Sequence, residues 1–129
     1  MKAFRIQVHS DDVVDLVFAK NKWQAYKLAQ ENKGICHDLG FLERLNNINR
    51  STLSHATMRI SVIRESKFDG MENEDLNELI YKLIKTAGWF YGDYQITCKN
   101  IDQKDIRDYL NNTILKRNSI FYYDKNLRK

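Results

Sequence analysis

The residues best suited to chemistry are few, and their spacing serves them poorly. Cys36, His37, Cys98, His9 and His55 are the only cysteines and histidines in the chain, and they form no CxxC, HxxxH or HExxH. A structural zinc site needs four converging ligands, whereas adjacent Cys36 and His37 would point to opposite faces of a strand. The pattern predicts no metal and no cofactor. Ser54 stands beside His55, and Ser10 follows His9. Sequence adjacency does not make a catalytic triad, which is a spatial arrangement. There is no GxSxG, and five glycines leave little material for a phosphate-cradling loop. The expectation is a protein that is not an enzyme, with Cys36 and Cys98 as separate buried thiols in a reducing compartment.

Two other groups of residues suit recognition. Arg64 and Asp69 bracket the segment RESKFDG. Their fork and carboxylate can form a bidentate pair that holds the loop. Aromatics gather in two clusters. Trp89, Phe90, Tyr91 and Tyr94 form one, and Phe121, Tyr122 and Tyr123 the other. Lys116, Arg117, Lys125, Arg128 and Lys129 lie near the second, against Asp124 alone from residue 113 onward. Aromatic faces can stack on bases while cations meet phosphates, but alternate aromatics along a strand also build cores. The candidate partner-binding residues are therefore Arg64, Asp69, Tyr91, Tyr94, Lys116, Arg117, Tyr122 and Arg128.

These side chains need a frame. Residues 3–9 alternate, with Phe4, Ile6 and Val8 on one face and Arg5, Gln7 and His9 on the other, the pattern of a half-buried strand. A turn at residues 10–12 leads to a second strand at 13–19 with Val14, Leu16 and Phe18 on one face, which predicts an antiparallel hairpin. A helix follows. Asn21 is its N-cap, Gly34 its C′ glycine, and Trp23, Ala25, Tyr26, Leu28 and Ala29 make one broad buried face. Residues 35–55 suggest a short helix. Residues 57–63 form a third strand marked by Met58, Ile60 and Val62. Residues 74–87 give the strongest helical signal, with Leu76, Leu79, Ile80, Leu83 and Ile84 at helical spacing, Asn73 as cap and Gly88 as terminator. WFYGDYQITC reads as a strand kinked at Gly92, and Asp102 opens a helix containing Ile106, Tyr109 and Leu110. SIFYY reads as a short last strand, and DKNLRK, residues 124–129, as a frayed end.

The fold class is therefore α+β: a small antiparallel sheet with a ββα start, packed by two or three amphipathic helices. The absence of proline and of any linker predicts one domain over residues 1–129. No stretch approaches the roughly 18 apolar residues of a membrane span, and MKAFRIQVHSDD turns polar too soon for a signal peptide. These features predict a cytoplasmic protein. A net charge of +4 permits nucleic-acid contact without demanding it.

Four segments together carry a resemblance: MKAFRIQV, VFAKNKWQAYKLA, the strand running into RESKFD, and LIKTAGWFY. In that order they resemble small accessory proteins encoded by phages and prophages, which carry an Arg-x-x-x-aromatic-Asp segment and a Gly-Trp-aromatic step. Such proteins often have a cysteine pair after that step, implying a zinc-binding end. This chain has only Cys98 there, and residues 35–55 are an insertion relative to the compact form. The resemblance implies a non-enzymatic binding protein that inhibits or modulates a host macromolecule. CRISPR-Cas effectors are among the targets of such inhibitors (anti-CRISPR proteins). The alternative is a nucleic-acid-binding accessory protein using the basic and aromatic C-terminal surface.

Overall fold

The computed structural model describes residues 1–8, 12–36, 60–92, 95–113 and 120–128. The chain begins with the expected hairpin. Strand β1 (Lys2–Val8) pairs antiparallel with β2 (Val13–Ala19), in a register that sets Phe4 opposite Val17 and Ile6 opposite Asp15. Asp12, at the end of the connection, takes a left-handed conformation (φ 56°), which aspartate tolerates better than most residues. Strand β3 (Ile60–Arg64) pairs antiparallel with the other edge of β1. The short strands β4 (Trp89–Tyr91) and β5 (Phe121–Tyr123) pair antiparallel with each other. Strand β5 also pairs with β2 at Val13 and Val14, giving the five-stranded order β3-β1-β2-β5-β4. The fold is α+β, as expected from the sequence.

Helix α1 (Lys22–Gln30) covers one face of the sheet. Asn21 caps it by accepting from Gln24 N, and the Gln24 side chain reaches back to Lys20 N. Such reciprocal bonding satisfies donors that a helix start leaves orphaned. Ala25 and Ala29 are buried with Phe4, Ile6, Val8, Val13, Val17 and Ala19. Trp23 does not join the buried face expected of it. It is 69% exposed and stacks on Tyr26, because a nine-residue helix seated by two alanines turns these rings outward.

The helix also ends earlier than its glycine suggests. Asn32, not Gly34, takes the left-handed C′ position (φ 58°), with Lys33 N bonded to Leu28 O and Asn32 N to Ala29 O. Gly34 serves a different purpose. A Cβ there would collide with the Asp15 carboxylate. The close approach lets the chain run along the open edge of β2, with Ile35 N bonded to Leu16 O and Cys36 N to Asp15 Oδ1.

Helix α2 (Leu76–Ala87) lies on the opposite face. Leu79, Ile80, Leu83, Ile84 and Ala87 are buried in one cluster with Ala3, Leu16, Phe68, Trp89 and Phe121. Its cap is Asp75, which accepts from Glu78 N, and not Asn73. Gly88 ends it with φ 82°, and a Cβ at Gly88 would lie 2.8 Å from Asp124 O, so both backbone conformation and space call for glycine. Helix α3 (Lys104–Thr113) begins two residues later than expected, with Leu110 buried and Tyr109 exposed. It is tied to α2 through Asp102. That carboxylate accepts from Tyr81 Oη at 2.5 Å and pairs with Lys85, while the Arg107 guanidinium lies 3.7 Å over the Tyr81 ring.

Residues 124–128, read from the sequence as a frayed end, are hydrogen-bonded. Asp124 caps a 3-10 turn, Lys125–Leu127, by accepting from Asn126 N, and its own N–H donates to Gly88 O. Cys98 Sγ donates to Leu127 O at 3.3 Å. Cys36 and Cys98 are both buried and are not joined in a disulfide. No helix among the described residues is long and apolar enough to cross a membrane.

Candidate functional site

Alternation along β1 sends Ala3, Arg5 and Gln7 to the α2 side of the sheet. The sequence reads this as the wet face of a half-buried strand. Glu65, in the turn after β3, and the Tyr123 ring lie against it instead, and Arg5 and Gln7 are only 4% and 5% exposed. A buried guanidinium must be paired to be tolerated. Arg5 Nη1 donates to Glu65 Oε1 at 2.7 Å, and its guanidinium stacks 3.6 Å above the Tyr123 ring. Glu65 is itself 2% exposed, and its other oxygen lies 4.0 Å from Arg128 Nη2. Burial pushes the Glu65 carboxyl above the usual carboxylate range, and the charges of Arg5, Arg128 and Lys67 act against that rise.

An open cleft of about 640 Å³ adjoins this pair. Arg5, Gln7 and half-buried Ile63 form its floor. Asp12, Tyr123, Asp124, Lys125 and Asn126 form its rim. The rim exists because β5 inserts beside β2: Tyr123 N bonds to Asp12 O, which brings the residues after β5 close to Asp12. Arg5 Nε is buried without a hydrogen-bond partner, and Arg5 Nη2 and the Gln7 amide make no hydrogen bond with the described residues. A buried polar group left unsatisfied costs about 1–3 kcal/mol. The site therefore holds hydrogen-bonding capacity that the fold does not use.

The residues singled out in the sequence do not gather here. Arg64 and Asp69 form the expected bidentate pair, Nη1 to Oδ1 and Nη2 to Oδ2, both at 2.8 Å. Asp69 Oδ1 also accepts from Ala3 N. These contacts hold its carboxyl down at about 2 and lace the turn after β3 to the start of β1. Tyr91 packs on Phe121, with centroids 5.2 Å apart, on the α2 side. Tyr122 stacks on Phe90 at 5.3 Å on the α1 side. The two tyrosines sit on neighbouring strands but on opposite faces, since β4–β5 register pairs Tyr91 with Phe121 and Phe90 with Tyr122. Of the five described residues among those singled out, Arg128 alone reaches the candidate site, through Glu65. Tyr94, Lys116 and Arg117 lie outside the described residues, as do Met58 and the segment 37–59.

Arg5, Gln7, Glu65 and Tyr123 were not singled out. The available signal was the number of amphipathic helices: two or three around one small sheet imply that both faces are covered, so the polar residues of β1 had to be buried. Among the described residues no group of three histidine, cysteine or acidic side chains could hold a metal ion. Comparison with protein-family models, with curated proteins and with solved structures found no match.

Proposed function

We propose that this protein is a non-enzymatic, phage-derived binding protein that inhibits or modulates a host protein by occupying part of its surface. The observation that carries the reading is the cleft, whose floor holds Arg5 Nε, Arg5 Nη2 and the Gln7 amide without hydrogen-bond partners among the described residues. Hydrogen-bonding groups held ready by a packed sheet suit recognition, since little freedom is lost when they engage. Its charged groups suit binding more than catalysis. Arg5 is paired with Glu65, and Asp124 is engaged as a cap. No lining residue is a nucleophile beside a base. A CRISPR-Cas effector is one target that the resemblance to phage accessory proteins suggests.

The test is photo-crosslinking in a bacterial host, with a photoreactive amino acid at exposed Asn126 and, as a control, at Lys27 on the outer side of α1. The expected result is one discrete crosslinked host protein from position 126 and none from position 27. Absence of any adduct at 126 would remove the reading.

A nucleic-acid-binding accessory role is the second reading. Lys125 on the cleft rim and Arg128 beside it favour this role. A gel-shift series at about 0.15 M salt tests it, because phosphate contacts weaken steeply as salt rises. Submicromolar, salt-dependent binding to DNA or RNA would favour it over a protein target.

A further inference from the structure

We propose that the outer side of α1 is a docking surface for single-stranded nucleic acid, with Trp23 as the ring on which a base stacks. The proposal goes beyond the cleft and does not depend on it.

Helix α1 turns its small and aliphatic residues to the sheet. Ala25 and Ala29 are buried, and Leu28 is half-buried against the same cluster. At about 100° per residue, the side turned away from them runs from Lys22 through Tyr26, Gln30 and Trp23 to Lys27. That order sets the two rings side by side with one lysine on each flank. Trp23 is 69% exposed, more than any other large apolar side chain among the described residues. Its ring stacks on Tyr26, with centroids 6.4 Å apart and planes 25° from parallel. A ring backed in this way loses little freedom when a second flat group stacks on its exposed side.

The charge around these rings is one-sided. Residues 20–33 hold Lys20, Lys22, Lys27 and Lys33 against Glu31 alone, which is three of the four net positive charges of the whole chain. All four lysines are exposed, and none forms an ion pair with a described residue. Asp15 lies beneath this segment, but it is buried against Gly34 and accepts from Leu16 N and Cys36 N. The α2 and α3 side differs. There Lys82, Lys85 and Arg107 each meet a carboxylate, of Glu74, Asp102 and Glu78. The chain neutralises the cations of one side itself and leaves those of the other to an anionic partner.

That partner must carry negative charge on both sides of a flat face. A nucleotide strand does so: a base stacks on Trp23 while the phosphates flanking it meet Lys22 and Lys27. Only an unpaired strand can splay a base onto the ring, so the occupant is single-stranded. An acidic peptide would match the charge but would find no apolar pocket in which to seat an anchor. A bilayer needs a broad apolar face, whereas Trp23 and Tyr26 stand among lysines and Gln30.

The test uses the whole chain and a labelled oligothymidylate of about eight nucleotides, followed by anisotropy over a range of salt. In parallel, the unlabelled oligonucleotide is titrated against tryptophan emission. Trp89 is fully buried, so quenching of the exposed tryptophan reports Trp23. Saturable binding with a Kd roughly in the tens of micromolar is expected, accompanied by quenching. Trp23→Ala should weaken binding about tenfold and leave Tm unchanged. The double variant Lys22→Gln, Lys27→Gln should weaken it and lower the slope of log K against log salt by about 1.4. Lys125→Gln, on the cleft rim, should bind as the wild type does.

Three results would each overturn the proposal: no saturation, undiminished binding by Trp23→Ala, or binding lost in Lys125→Gln. The last would place nucleic acid at the cleft rim instead. Equal or tighter binding of a duplex, of polyglutamate, or of phosphatidylserine–phosphatidylcholine vesicles would also sink it. If Trp23→Ala lowers Tm, the wild-type emission decides, and binding without quenching counts against the ring. A missing host-protein crosslink at position 126 removes the cleft reading and leaves the oligothymidylate result standing.

Discussion

Strand β1 supplies Phe4, Ile6 and Val8 to one face of the sheet and Ala3, Arg5 and Gln7 to the other, and all six are buried. The α1 face is closed with small and branched apolar side chains, and Ala25 and Ala29 let the helix sit close. The α2 face is closed differently. Its apolar cluster is larger and includes Trp89 and Phe121, yet beside that cluster lie an ion pair, an amide with no hydrogen bond to the described residues and an open cleft. Packing alone accounts for the first face. The second includes groups that packing would be better without, and such a departure from the stable solution is where a binding site is expected.

The comparison can be broken most directly at the ion pair. Arg5→Met should cost about 3–5 kcal/mol in denaturant melts, because it leaves Glu65 buried without its main partner. The double variant Arg5→Met, Glu65→Met should lose much less than the single one. A double variant as unstable as Arg5→Met would mean that the guanidinium matters for its stacking on Tyr123 rather than for its charge.

Leu83→Ala should cost about 2–5 kcal/mol, since Leu83 is fully buried at the centre of the α2 face and its loss leaves a cavity. On the α1 face the sensitive direction is the reverse. Ala29→Leu should cost about 1–3 kcal/mol by lifting the helix from the sheet. If Ala29→Leu is neutral in melts, α1 is not seated closely and the contrast between the faces weakens.

The Arg64–Asp69 pair gives a smaller, pH-dependent effect. The Asp69 carboxyl sits at about 2 in the folded protein, below the ordinary value of about 3.9. A depressed folded value stabilises above the unfolded value and is lost as pH falls through the folded one. The advantage of the wild type over Asp69→Asn should therefore be full above about pH 4 and vanish towards about pH 2. Acid titrations of the two proteins that run parallel across this window would show that the pair does not hold the turn.

The smallest expected change in stability is the most informative about function. Gln7→Leu should lie within about 1 kcal/mol of the wild type, or gain stability, because it removes an amide on the cleft floor that makes no hydrogen bond with the described residues. The same substitution should abolish crosslinking from position 126. A large destabilisation would show that Gln7 belongs to the fold and not to the cleft.

Much of this was legible because local pattern and tertiary outcome coincide. Alternation in residues 3–8 and 13–19 specifies the hairpin and its register. The spacing of Leu79, Ile80, Leu83 and Ile84, with Gly88 after them, specifies α2. Arg64 and Asp69, five residues apart around a turn, were readable as a pair because the contact is local. What was misread depends on neighbours distant in sequence. Trp23 looked buried by its apolarity, yet the two alanines decide which side of α1 meets the sheet. Gly34 looked like a cap, yet it is needed for its approach to Asp15, 19 residues earlier.

The sequence by itself determined which residues share a face, since side-chain direction follows from the 2.0 and 3.6 periods of strand and helix. It also determined where α1 starts and where α2 stops, through Asn21 and Gly88. Only the tertiary structure decided which faces are covered. Strand order is set by pairings that span the chain, β2 with β5 across more than a hundred residues, and no local period encodes them. That order places residues 123–126 over Arg5 and Gln7, turning an alternation that reads as half-exposed into a buried ion pair beside a cleft.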